Sequence, residues 1–501
     1  MKARNSRKIL TFTLLGAILL SNAGCGSTPG TESDTQNGTN TDGTSGAETT
    51  EEVITSDLPE RNFNNAKFTI LQRYVSEGHT HNFFEYDAEE QNGEILNDAV
   101  FNRNRRIEDR FNVEITTENA EFAASKVYTQ VMADDCYYNL VADRPTEMTK
   151  FTLTGIFTTT DKLTYLDLSK PWWSSQANES FSIGGKLCVF TGDYVLYEKQ
   201  RLPVELVNLD LAEDYNLPDL YDLVRDGKWT IDVLNQYAGL ASTDLNGDGK
   251  ISDFNEDQFG IVEGSYTYIP FVLFSMGNRF SEKQSDGSYG ITLTSQHMLD
   301  SIGKLTSVIL TDDTAWGEVV SNNWQNGLVP RTIFEEGRAL FFNEVLSTIR
   351  NLKGDVRYGI LPMPKYDENQ EKYLTTVQYD NSGAIAVPIT LSDEDMEMTS
   401  ILLEALCEDS HTSTLPAFIE GVMKSKKAPD EESAEMLKMI FNTDNIVYDM
   451  FAAYNIGNLN NVVSLELYEN RGTTYVSKMD SLKESIMAAY DEAVATFENL
   501  E

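Results

Sequence analysis

Phe68-Thr69-Ile70-Leu71 is a short β-prone run, and the alternation of elements that begins with it decides the fold. Over residues 91–112, Ile95, Val100, Ile107 and Phe111 recur at helical spacing, with Arg103, Arg105, Arg106, Glu108 and Asp109 on the polar side. Val113-Glu114-Ile115 resumes strand character. A second helix is predicted over 122–133, and a strand at Asn139-Leu140-Val141-Ala142. Strands alternating with helices predict α/β layers built on a parallel sheet.

The pattern extends along the chain. Leu187 to Leu209 holds two β-rich runs, around Gly192-Asp193 and Arg201-Leu202-Pro203. Thr230, after Trp229, is placed to cap a helix running through Leu240. Further strands are predicted at Ala339–Phe342, at Tyr358–Leu361 before Pro362 and Pro364, and at Ala384–Val387 before Pro388. Residues 394–501 read as mostly helical, ending in an amphipathic helix near 479–498.

The start of the chain has a different character. Lys2, Arg4, Arg7 and Lys8 precede twelve uncharged residues, Ile9 to Leu20, and then Ser21-Asn22-Ala23-Gly24-Cys25. This is the basic, apolar and small-residue order of a secretory signal. As a helix the apolar run spans roughly 18 Å, too short for a hydrocarbon core of roughly 30 Å. Asn-Ala-Gly-Cys resembles the bacterial lipobox, in which the cysteine takes a diacylglycerol, although Asn22 stands where leucine is usual. Residues 1–24 are therefore expected to be a signal peptide and Cys25 a lipid attachment point. The Gly-, Ser-, Thr- and Asn-rich residues of 25–60 are expected to be a solvated tether. The localisation these features imply is the outer face of the cell membrane, with the lipid as the only membrane contact.

Bulk composition bounds the rest. The formal charge of −40 becomes −44 once the four basic leader residues leave, which disfavours nucleic acid and anionic lipid as partners. Cys136, Cys188 and Cys407 include no Cys-x-x-Cys and are expected as three buried thiols. His79 and His81 have no cysteine or histidine cluster beside them and read as surface or pocket-rim residues.

Two patterns carry possible chemistry. Asp244, Asn246, Asp248, Lys250 and Glu256 follow the alternating oxygen-ligand logic of an EF-hand loop, with Gly249 at the sharp turn. Asn255 occupies the twelfth place, where a bidentate glutamate belongs. The turn is a candidate structural calcium site, and no other cofactor is required. Trp172, Trp173, Trp316 and Trp324 lie in segments read as irregular, where flat rings suit sugar faces. With 79 acidic residues no glycosidase pair can be singled out, and Gly-x-Ser-x-Gly, His-Glu-x-x-His and phosphate-loop motifs are absent from the sequence.

Taken in order, the lipobox, the tether, Phe68-Thr-Ile-Leu and Tyr138-Asn-Leu-Val-Ala-Asp143 begin a recognisable series. Trp229-Thr230, the Asp-x-Asn-x-Asp-Gly turn ending in Phe259-Gly260, Phe334–Phe342, Tyr358-Gly-Ile-Leu-Pro-Met-Pro364 and Ala384-Ile385 complete it. The series resembles the extracellular solute-binding proteins of ABC importers, sugar-binding type, over nearly all of 65–501. The resemblance implies a type II periplasmic-binding-protein-like α/β fold, with two lobes joined by crossing hinge strands. Lobe one would be 65–195 plus 356–410, and lobe two 196–355 plus 411–501.

It further implies a monomeric, non-enzymatic receptor that delivers a carbohydrate, an oligosaccharide above all, to ABC permease subunits. Ligand is expected at the carboxyl ends of the strands. The candidates are Gln72, Arg73 and Tyr74 after the first strand, Asp193 before the crossing, Asn343 and Glu344 after Phe342, and Tyr379, Asp380 and Asn381 before the Ala384 strand, with Trp173 stacking on a sugar. The competing functions are a receptor for a peptide or other small solute, an extracellular carbohydrate-active enzyme, and a surface adhesion protein.

Overall fold

A computed structural model describes residues 54–74, 86–249, 251, 256–263, 268–308, 328–349, 352–425 and 431–498. The signal peptide, Cys25, most of the tether, His79, His81, Lys250, Trp316 and Trp324 lie outside the described residues. Thr55–Glu501 forms one unit. The strands are β1 (Ala66–Arg73), β2 (Val113–Ala120), β3 (Leu140–Asp143), β4 (Val189–Phe190), β5 (Pro203–Asn208), β6 (Phe259–Glu263), β7 (Ser281–Lys283), β8 (Tyr289–Ile291), β9 (Ala339–Val345), β10 (Tyr358–Leu361) and β11 (Ala384–Ala386).

Local rules place the first layer. The predicted helix forms at Ile95–Phe111, where the Glu94 carboxylate accepts the Asn97 N–H at 2.7 Å and left-handed Asn112 (φ 50°) ends it. Val100, Ile107 and Phe111 of its apolar stripe are buried, but so are Arg103 and Glu108, which were expected on the polar side. The Arg103 guanidinium donates to the Tyr86 carbonyl at 2.9 Å and to Asn104 Oδ1, and stacks 4.7 Å from the Tyr194 ring centre. The second predicted helix forms at Ala123–Met132. Thr230 caps Ile231–Ala241 through its Oγ1, and that helix lies against β6 at Gly260. A Cβ there would come within 1.9 Å of the Ala238 carbonyl oxygen, so only glycine permits the approach.

Besides the antiparallel pair β7-β8 there are two larger sheets, both mixed, which corrects the expectation of a parallel one. The first has the order β2-β1-β3-β11-β4, with β2, β1 and β3 parallel and β11 antiparallel to both its neighbours. The second has the order β10-β5-β9-β6, with β5 antiparallel to β10 and β9 while β6 and β9 are parallel. The reversed strands are those that receive the chain after it has passed from one sheet to the other. Between Phe190 and Pro203 it leaves the first sheet for the second, and between Leu361 and Ala384 it returns. The one-turn helix Leu196–Gln200 occupies the first passage.

Several expected boundaries move. Tyr358–Leu361 pairs with β5, so it belongs to the second sheet although 356 was the expected start of the first lobe's return. Thr414–Ser425 packs with Asp393–Thr412 on the helix Ile95–Phe111, beyond the expected boundary at 410. The end of the tether is docked too. Thr55 accepts from Lys170 Nζ at 2.9 Å, and the Ser56 N–H and hydroxyl donate to Glu408. Cys188 and Cys407 are buried thiols, whereas Cys136 is half-buried.

Candidate ligand cleft

Strand direction brings the candidate residues together. β1, β3 and β4 end at the edge of the first sheet where β11 begins, because Ala384 pairs with Asp143 and Ile385 with Phe190. Arg73, Asp143, Thr191 and Ser382 therefore share one edge. In the second sheet β6 and β9 end where β5 begins, with Pro203 opposite Val345 and Glu263 opposite Asn343. Each passage joins these same two edges: 191–202 runs from the end of β4 to the start of β5, and 362–383 from the end of β10 to the start of β11. The strand-end residues of the two sheets are thus linked through the same two passages.

Contacts across the passages confirm the proximity. Arg201 donates to Ser347 Oγ at 3.0 Å and to Gln378 Oε1, which ties the first passage to the end of β9 and to the second passage. The Tyr197 hydroxyl donates to Asn381 Oδ1 at 2.9 Å. Burial raises the Tyr197 pKa, while Arg201, Arg144 and Arg73 pull it down and Asp380 raises it further, so all five groups lie within electrostatic reach. Burial also pushes the Glu344 carboxyl above its usual range, against the Val345 N–H and the Arg201 charge.

The sequence candidates divide. Arg73, Asp380 and Asn381 meet at this junction, and Glu344 faces it from β9. Tyr379 and Asp380 line a recess with Phe271, Phe274, Gln378 and Asn460. The Tyr379 hydroxyl accepts the Asp449 N–H at 2.7 Å. Gln72 donates sideways to Asn119 on β2 at 2.9 Å, and Tyr74 is 43% exposed. Asn343 is turned inward, donating to the Val204 carbonyl at 3.1 Å.

Asp193 and Trp173 lie elsewhere. Asp193 is buried, paired with His411 Nδ1 at 2.6 Å and lying 4.0 Å from Lys199 Nζ. Trp173 was expected to stack on a sugar but is only 2% exposed, with its indole N–H donated to Glu404 Oε2 at 2.9 Å. It packs edge-on against Phe190, and its backbone bridges Gly192 just past the end of β4. Sequence reasoning missed Arg144, Tyr197 and Arg201. Arg144 had a readable signal, since it follows the Leu140–Asp143 strand and precedes Pro145, the first residue of a helix.

The acidic turn is self-supporting. Asp244 accepts the N–H groups of Gly247 at 2.6 Å and Gly249 at 2.8 Å, and Asn246 Oδ1 accepts that of Asp248 at 2.9 Å. Glu256 is exposed beyond it, and no group of three or more metal-ligating acidic, cysteine or histidine side chains forms among the described residues.

No protein-family model and no curated protein matches the chain. Solved structures do. A cyclo/maltodextrin-binding protein complexed with maltotetraose superposes with a TM-score of 0.53 at 13% identity, covering 87% of this chain and 98% of that one. UgpB from Mycobacterium tuberculosis in complex with glycerophosphocholine gives 0.52 at 12% identity, covering 87% and 99%. The fold is that of the type II periplasmic binding proteins. The ABC substrate-binding protein Lmo0181 from Listeria monocytogenes, in complex with cycloalternan, agrees at 0.50 with 13% identity and coverage of 87% and 99%. At such identities the likeness is one of fold, and the chemistry of the cleft is argued from its own residues.

Proposed function

We propose that this chain is a solute receptor of an ABC importer, binding a carbohydrate, an oligosaccharide above all, between its two sheets. The observation that supports the reading most is the pair of strand-end edges joined by the two crossing passages and tied together through Arg201 to Ser347 and Gln378 and through Tyr197 to Asn381. Maltotetraose and cycloalternan are the ligands of two proteins that share the fold. Glycerophosphocholine, bound by a third, favours a second reading as receptor for another small solute. Arg, Asp, Asn and Tyr at the junction are groups that bind and orient polar solutes.

In this reading the passages are hinges. Solute touching both edges shifts the population toward a closed form that the permease subunits then recognise. Its test is X-ray scattering during a titration with a panel of oligosaccharides, peptides and polyols. The cognate solute should shrink the radius of gyration and raise the melting temperature together, both saturating at one concentration. A solute that stabilises the protein with a rigid scattering profile counts against the hinge, and chemical turnover of the solute would favour an enzyme.

Anchoring to the outer membrane face through Cys25 belongs to the same proposal. The described residues include no helix long and apolar enough to cross a membrane. Cys25→Ser should release the protein from the membrane fraction while solute affinity stays unchanged. A Ser variant that still sediments with membranes removes the lipid from the account.

A further inference from the structure

The chain carries 79 acidic residues against 39 lysines and arginines, so an arginine left without a carboxylate is unexpected. Four surface arginines behave accordingly. Arg61 pairs with Glu397, Arg106 with Asp409, Arg225 with Glu435 and Arg357 with Asp210, all at 2.6–2.8 Å. At the carboxyl edge of the first sheet the pattern breaks.

Arg144 follows β3 directly and is only partly exposed, yet its guanidinium has no hydrogen bond and no carboxylate within 4.0 Å among the described residues. Beside it, Arg73 is 6% exposed; its Nη1 meets Asp143 at 2.9 Å, but its Nε is buried with no partner. Asp143 is hydrogen-bonded to the Arg73 side chain and not to that of Arg144. Its Oδ1 already accepts Arg73 and the Arg144 backbone N–H, and its Oδ2 accepts the Ala124 N–H at 3.0 Å. Asp380 acts on Arg144 only at longer range, while burial and the like charge of Arg73 oppose keeping Arg144 charged. Two guanidiniums thus lie within reach of each other's charge while only Arg73 is paired with a carboxylate, at the edge where solute is expected.

Beside this charge lies apolar surface. Phe122 is 49% exposed with the Arg73 guanidinium 5.0 Å from its ring centre, and Tyr74 is 43% exposed. A solute with a flat ring face and an oxyanion would engage both features at once.

We propose that the solute is an acidic saccharide whose carboxylate or sulfate is bound by Arg144 with Arg73, while a sugar ring lies on Phe122. This rests on reading the sheet edges as the solute cleft. A planar guanidinium grips a carboxylate or sulfate through two parallel N–H bonds, and a partly desolvated site strengthens them. The chain's negative charge does not prevent the encounter, because screening at physiological salt limits its reach to about 8 Å.

The test is calorimetric titration of the full chain with trigalacturonate, a sulfated chondroitin disaccharide, neutral maltotriose and glycerophosphocholine. An acidic saccharide should bind, Arg144→Gln should weaken it at least tenfold, and Arg144→Lys should weaken it less. The melting temperature of the free variants should match the wild type, which separates binding from folding. Trigalacturonate carries carboxylates alone, so its binding shows that a carboxylate suffices, whereas the chondroitin disaccharide offers a uronate carboxylate and a sulfate together. Binding of maltotriose alone, unchanged in Arg144→Gln, overturns the inference and leaves the receptor reading standing. Arg144-dependent binding of glycerophosphocholine alone overturns the saccharide. Silence from all four probes overturns the inference, while the receptor reading stands or falls on the wider solute panel.

Discussion

Trp173→Ala should lower the free energy of unfolding by about 3–5 kcal/mol while leaving solute affinity per folded molecule unchanged. Its ring is 2% exposed and packs 5.8 Å from Phe190, centre to centre. A Cβ on Gly192 would lie 2.8 Å from the Trp173 ring, so the site is too tightly packed to collapse around a cavity without distorting the chain. The indole also has a polar duty. Glu404 is buried, which drives its carboxyl pKa upward, and it is held by the Trp173 and Trp172 indoles at 2.9 and 3.0 Å and the Asp167 N–H at 3.1 Å. Removing one donor leaves a buried carboxylate less satisfied. Trp173→Phe keeps most of the packing and deletes only the N–H, so it should cost about 1–2 kcal/mol. Urea unfolding at constant m-value checks both variants. A Trp173→Ala protein of wild-type stability that has lost its solute would return this residue to the cleft.

Glu205→Gln should make the protein more stable than wild type at neutral pH and change little below pH 4.5. Glu205 stands on β5 in a row with Asn343 and Glu263, paired across the sheet and so on one face. It is fully buried, its Oε1 meets no partner, and the Asn343 amide approaches the other oxygen at only 3.4 Å. Burial therefore raises its pKa well above 4.5, and the folded state holds it protonated. Between the unfolded and folded pKa values the unfolded chain binds fewer protons. Stability is thus complete below about 4.5 and is lost as pH rises towards the folded pKa, by up to about 1.4 kcal/mol per pH unit. Glutamine carries no such proton. Other buried carboxyls, Glu198 and Asp449 among them, are also shifted upward, so the informative quantity is the difference between the two proteins across pH 4–8. A difference that stays flat would falsify the account of a protonated Glu205.

Much of the fold was legible because its signals are local. Ile95–Phe111, Leu140–Asp143 and Tyr358–Leu361 form within a few residues of where periodicity and turn chemistry put them. The same holds for Thr230, whose capping bond spans three residues. Arg73, Asp380 and Asn381 were readable as candidates since each sits near a strand end, and strand ends are where this class of sheet exposes its polar groups.

By itself, then, the sequence determined where strands and helices lie, that they alternate, and which residues stand at strand ends. Tertiary structure alone decided that β5 and β11 run against their neighbours, and that Tyr358–Leu361 joins the second sheet. It alone turned Trp173 and Arg103 inward and left Arg144 without a carboxylate. The reason is physical. Elements form from contacts a few residues apart, but pairing, burial and charge balance depend on partners far along the chain. Ile385 pairs with Ala142, and Trp173 bonds Glu404. No local pattern encodes those distances, and only the folded chain brings such partners together.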